Sequence, residues 1–416
     1  MPFRTALSGL NAASSELRVI GNNIANASTT GFKKSRMEFS DIYASSNLGA
    51  ASNTIGSGVR IAAIDQQFSQ GNVSFTDNNL DIAISGQGFF RLNDGGVNAY
   101  TRNGTFGVDR NGYIVNSQDQ RLTGYLADNA GNITGALGDI QLNTAVIAPN
   151  ASTNVGLGLN LDASVTGINS GLVPFDPTDA STYHDSTSLT VYDSLGASHL
   201  ATMYYRKTTN PNEWETYLYI DGNQVPGAQA NNSDLLQFNG LGALTDINGV
   251  PVPPSNYTTA AYNPLNGAAN MILTMDYSAA SQYGGGFNVN SLTQDGYGTG
   301  RLSGIDIDDT GVILARFTNG QSRTLAQVAL ANFSNVQGLQ QLGDTAWAET
   351  FESGAALVGA PGTSSLGLVQ SGALEGSNVD LTEQLVGMIT AQRNFQANAQ
   401  VISTADAITQ SIINIR

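Results

Sequence analysis

Gly376-Ser-Asn-Val-Asp-Leu-Thr-Glu-Gln-Leu-Val-Gly-Met-Ile-Thr-Ala-Gln-Arg-Asn-Phe-Gln-Ala-Asn-Ala-Gln-Val-Ile-Ser-Thr-Ala-Asp-Ala-Ile-Thr-Gln-Ser-Ile-Ile-Asn-Ile-Arg416 closes the sequence, and its periodicity decides how the rest is read. Apolar side chains fall at Leu381, Leu385, Met388, Phe395 and Ile402, then at Ala405, Ile408, Ile412 and Ile415. This is the spacing of one helix face with a near-heptad seam. Asp380 can cap the first free amides, and Glu383 on the next turn predicts a capping box. At roughly 1.5 Å per residue such a helix runs on the order of 50 Å, more than the interior of one domain requires.

The opening residues hold the counterpart. Phe3, Leu7, Leu10, Leu17, Ile20 and Ile24 form a second stripe, with Ala12, Ala13 and Ser14 small enough for close helix approach. Segments at opposite ends of the sequence meet only if everything between them is looped out. The expectation is an antiparallel pair of terminal helices over residues 1–30 and 376–416. Asn26, Ser28, Thr29 and Thr30 compete with the helical ladder and Gly31 suits a left-handed stop, so the first helix should end in the high twenties. Residues 31–70 and 361–375 then read as an extended connecting arm without elements of its own. Phe39, Ile42 and Tyr43 are isolated anchors in it, and Phe32, Lys33, Lys34 and Arg36 are its contact residues, the three cations expected to solubilise the arm or to pair with Asp and Glu of a neighbouring subunit.

The middle reads as β. Leu80, Ile82 and Ile84 alternate, and the pairs Asn103-Gly104 and Asn111-Gly112 predict tight hairpins. The same pattern returns from Leu302 to Phe317, with turns at Asp308-Asp-Thr-Gly311 and Asn319-Gly320. Residues 71–145 and 285–360 are therefore expected to form one split inner β domain. Residues 146–284 are expected as an outer β domain inserted in it, with strands at Ser188–Tyr192, His199–Tyr205 and Trp214–Ile220. The fold class is mainly β, multidomain and nested, with long α-helices at both termini.

Composition excludes much chemistry. There is no cysteine, hence no disulfide or thiolate site. Net charge is −16 although only 12% of residues are charged, so the acidity reflects scarce Lys and Arg, and no basic stripe offers a nucleic-acid surface. No apolar run reaches the length of a membrane span, and the first residues lack the pattern of a secretory signal. His184 and His199 have no ligand-spaced partner. Asp306, Asp308 and Asp309 resemble a calcium loop, but Phe317 stands where a bidentate carboxylate is needed. No catalytic residue, metal site or cofactor is expected. The terminal stripes carry the functional signal instead, and a contact repeated by a screw rotation would build a tube from them.

Several stretches together resemble the flagellar rod and hook axial protein family. They are Ala6-Leu-Ser-Gly-Leu-Asn-Ala-Ala13, Gly21-Asn-Asn-Ile-Ala-Asn-Ala-Ser-Thr-Thr-Gly-Phe-Lys33, Ile84-Ser-Gly-Gln-Gly-Phe-Phe90, Tyr100-Thr-Arg-Asn-Gly-Thr-Phe106, Glu375-Gly-Ser-Asn-Val-Asp-Leu381 and Gln392-Arg-Asn-Phe-Gln-Ala-Asn-Ala399. Ser188-Leu-Thr-Val-Tyr-Asp-Ser-Leu-Gly196 is similar to the hook members in particular, and Phe395 stands where relatives commonly have tyrosine. The resemblance implies a structural hook subunit, not an enzyme, exported through the flagellar apparatus without a cleaved signal peptide. It implies self-association into a curved hollow tube outside the cell that joins the distal rod protein to the hook-filament junction protein, grows beneath a hook cap and acts as a universal joint. The rigid distal rod protein is the alternative. An exported enzyme or glycan-binding module in the insertion is a third reading.

Overall fold

The computed structural model describes residues 2–42, 56–128, 130–142, 146–253 and 255–414. It divides into two compact units. The first comprises residues 1–144, 303–316 and 322–416, and the second residues 145–302 and 317–321.

In the first unit, helix α1 (Pro2–Ala25) and helix α2 (Leu381–Asn414) pack against each other. The segment read as a bare arm is a two-stranded ribbon: β1 (Ser35–Asp41) pairs antiparallel with β2 (Val59–Gln66), and both touch α1. The expected arm thus has an element of its own, because each strand finds its partner across a long connection that local periodicity does not reveal. Tyr43 lies outside the described residues. The C-terminal stretch expected as arm is also strand: Leu368–Ser371 pairs with Ile82–Ser85, and Ala373–Glu375 with Val73–Phe75.

The main sheet of this unit runs Leu302–Ile307, Val312–Phe317, Ser322–Val328, Arg121–Ala127, Phe89–Asp94, Val97–Thr101, Ala346–Ala348 and Gln340–Gly343. Its core gathers Ile82, Ile84, Phe90, Leu92, Ile114, Leu122, Ile313 and Val328, all inaccessible to solvent. A second cluster of Phe89, Tyr100, Phe333 and Trp347 stacks edge to face, with Tyr100 and Phe333 centroids 4.8 Å apart. Asn111-Gly112 turns a hairpin, Gly107–Val108 pairing with Ile114–Val115 and Gly112 holding φ 84°. Asn103-Gly104 does not. Gly104 is needed for close approach, since a Cβ there would lie 1.6 Å from the Ile82 carbonyl oxygen, which the backbone of Thr105 flanks by bridging to Asp81. Asp308 accepts from the amides of Thr310 and Val312 at 2.9 Å each, a turn-closing role.

The second unit is two sheets sharing one core. Asp185–Tyr192, Ser198–Lys207, Glu213–Ile220, Asp234–Phe238, Leu244–Ile247 and Val250–Pro251 form an antiparallel sheet, with Asn223–Val225 added to Glu213–Ile220. The other sheet centres on Asn154–Asp162, which pairs parallel with Thr274–Asp276 and Ser281–Tyr283 and antiparallel with Asn288–Gln294. Val155, Leu157, Leu159 and Leu161 point from that strand into a core shared with Val191, Met203, Trp214 and Leu236. The insertion therefore does not close at residue 284. Strand Asn288–Gln294 and the bridges Asn150 to Tyr297 and Ile147 to Gly300 carry it on to Leu302. The Asn- and Ser-rich strand after residue 284 pairs through its backbone and needs no large side chains, so its periodicity does not announce it.

Both histidines lie in this unit. His184 is half-buried, its Nδ1 accepting from the Lys207 amide at 3.1 Å and its Nε2 lying 2.9 Å from the Thr166 carbonyl, so its ring closes local backbone contacts. His199 is buried with Nδ1 2.5 Å from Asp221 and Nε2 3.2 Å from Asp193. Burial works against charge on His199, but these bonds outweigh it and raise its pKa above the ordinary 6.5. Burial likewise opposes charge on Asp193, yet bonds from Asn266, His199 and the amides of Ala197 and Leu195 hold its carboxyl at about 2.

The pH window follows from these shifts. The His199 contribution is fully present below its ordinary 6.5 and is lost as pH rises through the raised value. The Asp193 contribution is present above the ordinary 3.8 and is lost as pH falls toward about 2. The thermal stability of the second unit should thus fall on the alkaline side, and His199→Gln should flatten that decline while lowering the plateau. A decline of unchanged slope in the variant would assign it to another group.

Candidate functional site

The two helices meet through small and polar side chains. Gly9 lies against Asn398, a Cβ there coming 2.6 Å from the amide oxygen; Gly387 faces Ile20; and Asn23 donates to Gln384 Oε1 at 3.0 Å. Positions rise along one helix as they fall along the other, so the pair is antiparallel. Ala6, Ala13 and Ile20 on α1 and Gln384 and Ala391 on α2 are buried. Met388, Phe395 and Ile402, which continue the α2 stripe in steps of four and three, are half-buried.

The expected packing residues divide into two sets. Ile20 is buried, and Leu10, Leu17, Ile24, Met388, Phe395 and Ile402 are half-buried. Phe3, Leu7, Leu381, Leu385 and Ile408 are exposed, Leu385 by 46% and Ile408 by 56%. The Ile412 side chain lies outside the described residues. The seam begins at Gln384 and not at Leu385 because the amide pair Asn23–Gln384 occupies it, and a search for apolar side chains alone passes over that pair.

Asn23 also ties α1 to the ribbon, donating to the Ser35 carbonyl at 2.8 Å and accepting from the Ser35 amide at 2.9 Å. Ser8 Oγ accepts from the Val59 amide at 3.2 Å. Asp380 caps α2 as expected, accepting from the amides of Thr382 at 2.8 Å and Glu383 at 3.2 Å. Glu383 departs from the capping-box expectation: its carboxylate takes the Lys34 ammonium at 2.8 Å, a charge-assisted bond stronger than one to a neutral amide. Asn378 accepts from the Lys34 amide at 2.7 Å and donates to the Gln67 carbonyl at 2.6 Å, stitching the entry of α2 to the arm.

At the root of the pair is a buried ion cluster. Gly31, at φ 71°, lets the chain turn after α1 and passes so near Asn103 that a Cβ would lie 2.5 Å from its amide nitrogen. Lys33 then enters the interior, with no solvent exposure, to place Nζ 2.6 Å from Glu375 Oε1 and 2.8 Å from the Ser69 carbonyl. Arg102 reaches Glu375 Oε2 at 3.2 Å and the Gly86 carbonyl at 2.9 Å, and the Gly71 amide donates to Oε1 at 2.8 Å. Burial pulls the pKa of Lys33 and of Arg102 down against the opposing pull of Glu375.

The expectation that these cations pair with other subunits is corrected. Lys33 meets Glu375, Lys34 meets Glu383 and Arg36 meets Glu38, all within one chain. Phe32 is half-buried beside them. The polar neighbours of Lys33 give no local sign of its burial; long-range strand pairing between Val73–Phe75 and Ala373–Glu375 is what brings its partner near.

Glu375→Gln should destabilise the first unit by about 3–5 kcal/mol, since it leaves two buried cations without a counter-charge. Lys34→Met, which removes the more exposed pair, should cost about 0–1 kcal/mol. Denaturant unfolding of both variants checks the contrast, and equal losses would deny the cluster its special weight.

Among the described residues no helix is long and apolar enough to cross a membrane. Four family models match in order along the chain: "Flagella basal body rod protein" over residues 3–33, "Flagellar hook protein FlgE/F/G D1 domain" over 83–159, "Flagellar basal body protein FlaE D2 domain" over 160–297 and "Flagellar basal body rod FlgEFG protein C-terminal" over 370–415. The flagellar hook protein FlgE of Escherichia coli K12 is 38% identical over the full length of both chains, as is that of Salmonella typhimurium LT2, and that of Borreliella burgdorferi is 33% identical over 99% of this chain and 98% of its own. The Helicobacter pylori FlgE2 crystal structure shares the fold at a TM-score of 0.54 with 14% identity, covering 73% of this chain and all of that one. These full-length likenesses are to hook proteins, which disfavours the rod alternative. The chain belongs to the flagellar hook protein FlgE family, whose members are structural parts of the flagellum and not enzymes.

Proposed function

We propose that copies of this chain join by a repeated screw contact into a curved hollow hook, and that the tube passes torque from rod to filament as a universal joint. One observation carries the reading. Leu385, Val386, Ile389, Val401 and Ile408 stand 46%, 61%, 48%, 46% and 56% exposed, on the side of α2 turned away from its seam with α1. Exposed apolar side chains such as these gain free energy, roughly 25 cal/mol per Å² of area covered, when neighbouring copies enclose them. Leu381 on α2 and, on α1, Phe3 and Leu7 are exposed as well.

In this reading residues 1–30 and 376–416 lie nearest the tube axis, and residues 31–70 and 361–375 connect them to the β sheet of their unit. Residues Asp406–Ser411 and Ile413 are all exposed, which suits a terminus that waits for neighbours. A screw contact is heterologous, so each copy offers one face and receives another, and the assembly stays open at its growing end. The family resemblance supplies the rest: distal rod protein below, hook-filament junction protein above, a cap at the growing end, and passage through the flagellar export apparatus without a cleaved signal peptide.

Ile389→Asp and Leu385→Asp should change the stability of the isolated chain by less than about 0.5 kcal/mol, as both sites are exposed, and should abolish tube formation. Electron cryomicroscopy under assembly conditions checks this beside a chain lacking residues 1–24 and 385–416. Curved hollow tubes from the unaltered chain alone support the reading. Tubes from the aspartate variants would move the interface elsewhere, and straight tubes would favour a rigid shaft.

A further inference from the structure

From Gln384 to Asn414, α2 carries two charged residues, Arg393 and Asp406. Arg393 follows Val386 by seven residues and Ile389 by four, which places it on the same outward face as those exposed side chains. Arg393 and Asp406 are both exposed, and among the described residues neither forms a hydrogen bond or an ion pair.

Whatever encloses Val386 and Ile389 also encloses Arg393. A cation covered by apolar side chains loses its water and needs a counter-charge. In the polymer reading above, the helices of other copies cover this face, so the counter-charge belongs to one of them. The two helices hold three carboxylates, Glu16, Glu383 and Asp406. Glu383 is taken by Lys34 at 2.8 Å, and Glu16 is half-buried on α1, one turn from the buried Ala13 and Ile20. Asp380, ahead of α2, is spent on the cap. Asp406 is the carboxylate left exposed and unpartnered among the described residues of the pair.

We propose that Arg393 binds Asp406 of a second copy of this chain, an ion pair that rests on the polymer reading above and sets the stagger of its helices. The spacing fits an open assembly. Thirteen residues separate the two charges, which at 3.6 residues per turn is roughly 140° around the helix and about 20 Å along it. One α2 therefore cannot join them itself and shows its cation and its anion to different sides. That is the heterologous pattern, which repeats without closing. Copies related by a screw along the tube keep their direction, so the pair staggers neighbouring α2 helices by about 20 Å.

Charge reversal in the full chain tests the pair. Arg393→Asp and Asp406→Arg are each expected to lose tubes under conditions that assemble the unaltered chain, because like charges then meet at every contact. The double variant, R393D with D406R, is expected to recover them. Denaturant unfolding of the isolated variants should match that of the unaltered chain, since neither side chain has a partner within it. Electron cryomicroscopy of unaltered tubes should place the Arg393 guanidinium within hydrogen-bond distance of Asp406 of a second copy. Single variants that still build tubes, a folded double variant that builds none, or a guanidinium that turns to solvent in the tube overturns the pair and leaves the polymer reading standing. No tubes from the unaltered chain overturn that reading and the pair with it.

Discussion

One carboxylate holds together parts of the chain that are far apart in sequence. Glu375 receives Lys33 and the Gly71 amide on one oxygen and Arg102 on the other, and its backbone carbonyl accepts from Gly31 at 2.8 Å. The residue that leaves α1 and the strand that leads to α2 are thereby fixed against each other and against the sheet. This matters because two long helices packed along a narrow stripe can slide by whole turns at little cost in apolar contact. Anchoring both at one end removes that freedom. The pairs Asn23–Gln384, Ile20–Gly387 and Gly9–Asn398 then fall into one register.

What occupies the seam determines what is left outside it. Glycine, alanine and amides bring the two backbones close and give a contact whose specificity comes from hydrogen bonds as much as from burial. Met388, Phe395 and Ile402 line the seam half-buried, whereas Leu385, Val386, Ile389, Val401 and Ile408 stay exposed on the other side. A seam built of leucines would bury them within the chain and leave nothing for a neighbour. The arrangement trades stability of the isolated helix pair for free energy released on association, which suits the polymer proposed above.

Much of this was legible in the residues, and the exceptions share a cause. Both helices, the Asp380 cap and the three long strands of the second unit follow from local periodicity and local chemistry. Strand pairing between residues 35–41 and 59–66, the parallel pairing of Asn154–Asp162 and the burial of Lys33 depend on partners distant in sequence, for which one chain offers no local signal. Asn103-Gly104 failed as a hairpin for a related reason. Its glycine answers to the Ile82 carbonyl, a tertiary neighbour, and not to a turn. In the candidate site the exposed and buried sets of Leu385 and Met388 differ by less than one turn of helix, and only the polar pair Asn23–Gln384 tells which side is inward.

The placement of charge bears on how such a subunit could flex in a polymer. Its strongest ionic contacts are internal: Glu375 with Lys33 and Arg102 in the first unit, and Arg206 with Glu215 and His199 with its two aspartates in the second. Apart from the half-exposed Asp221, each partner is buried within one unit, where low dielectric makes breaking the contact costly, so each unit resists deformation. Elsewhere charge is sparse, and side chains of Asn and Asp close their own turns, as Asp179 does for Ser181 and Asn239 for Leu241. Surfaces whose polar groups are already satisfied locally gain little from any single register against a neighbour. Contacts between copies can then shift by small steps without breaking strong bonds, whereas the units themselves stay rigid. That combination is what a joint needs in order to bend continuously while it turns.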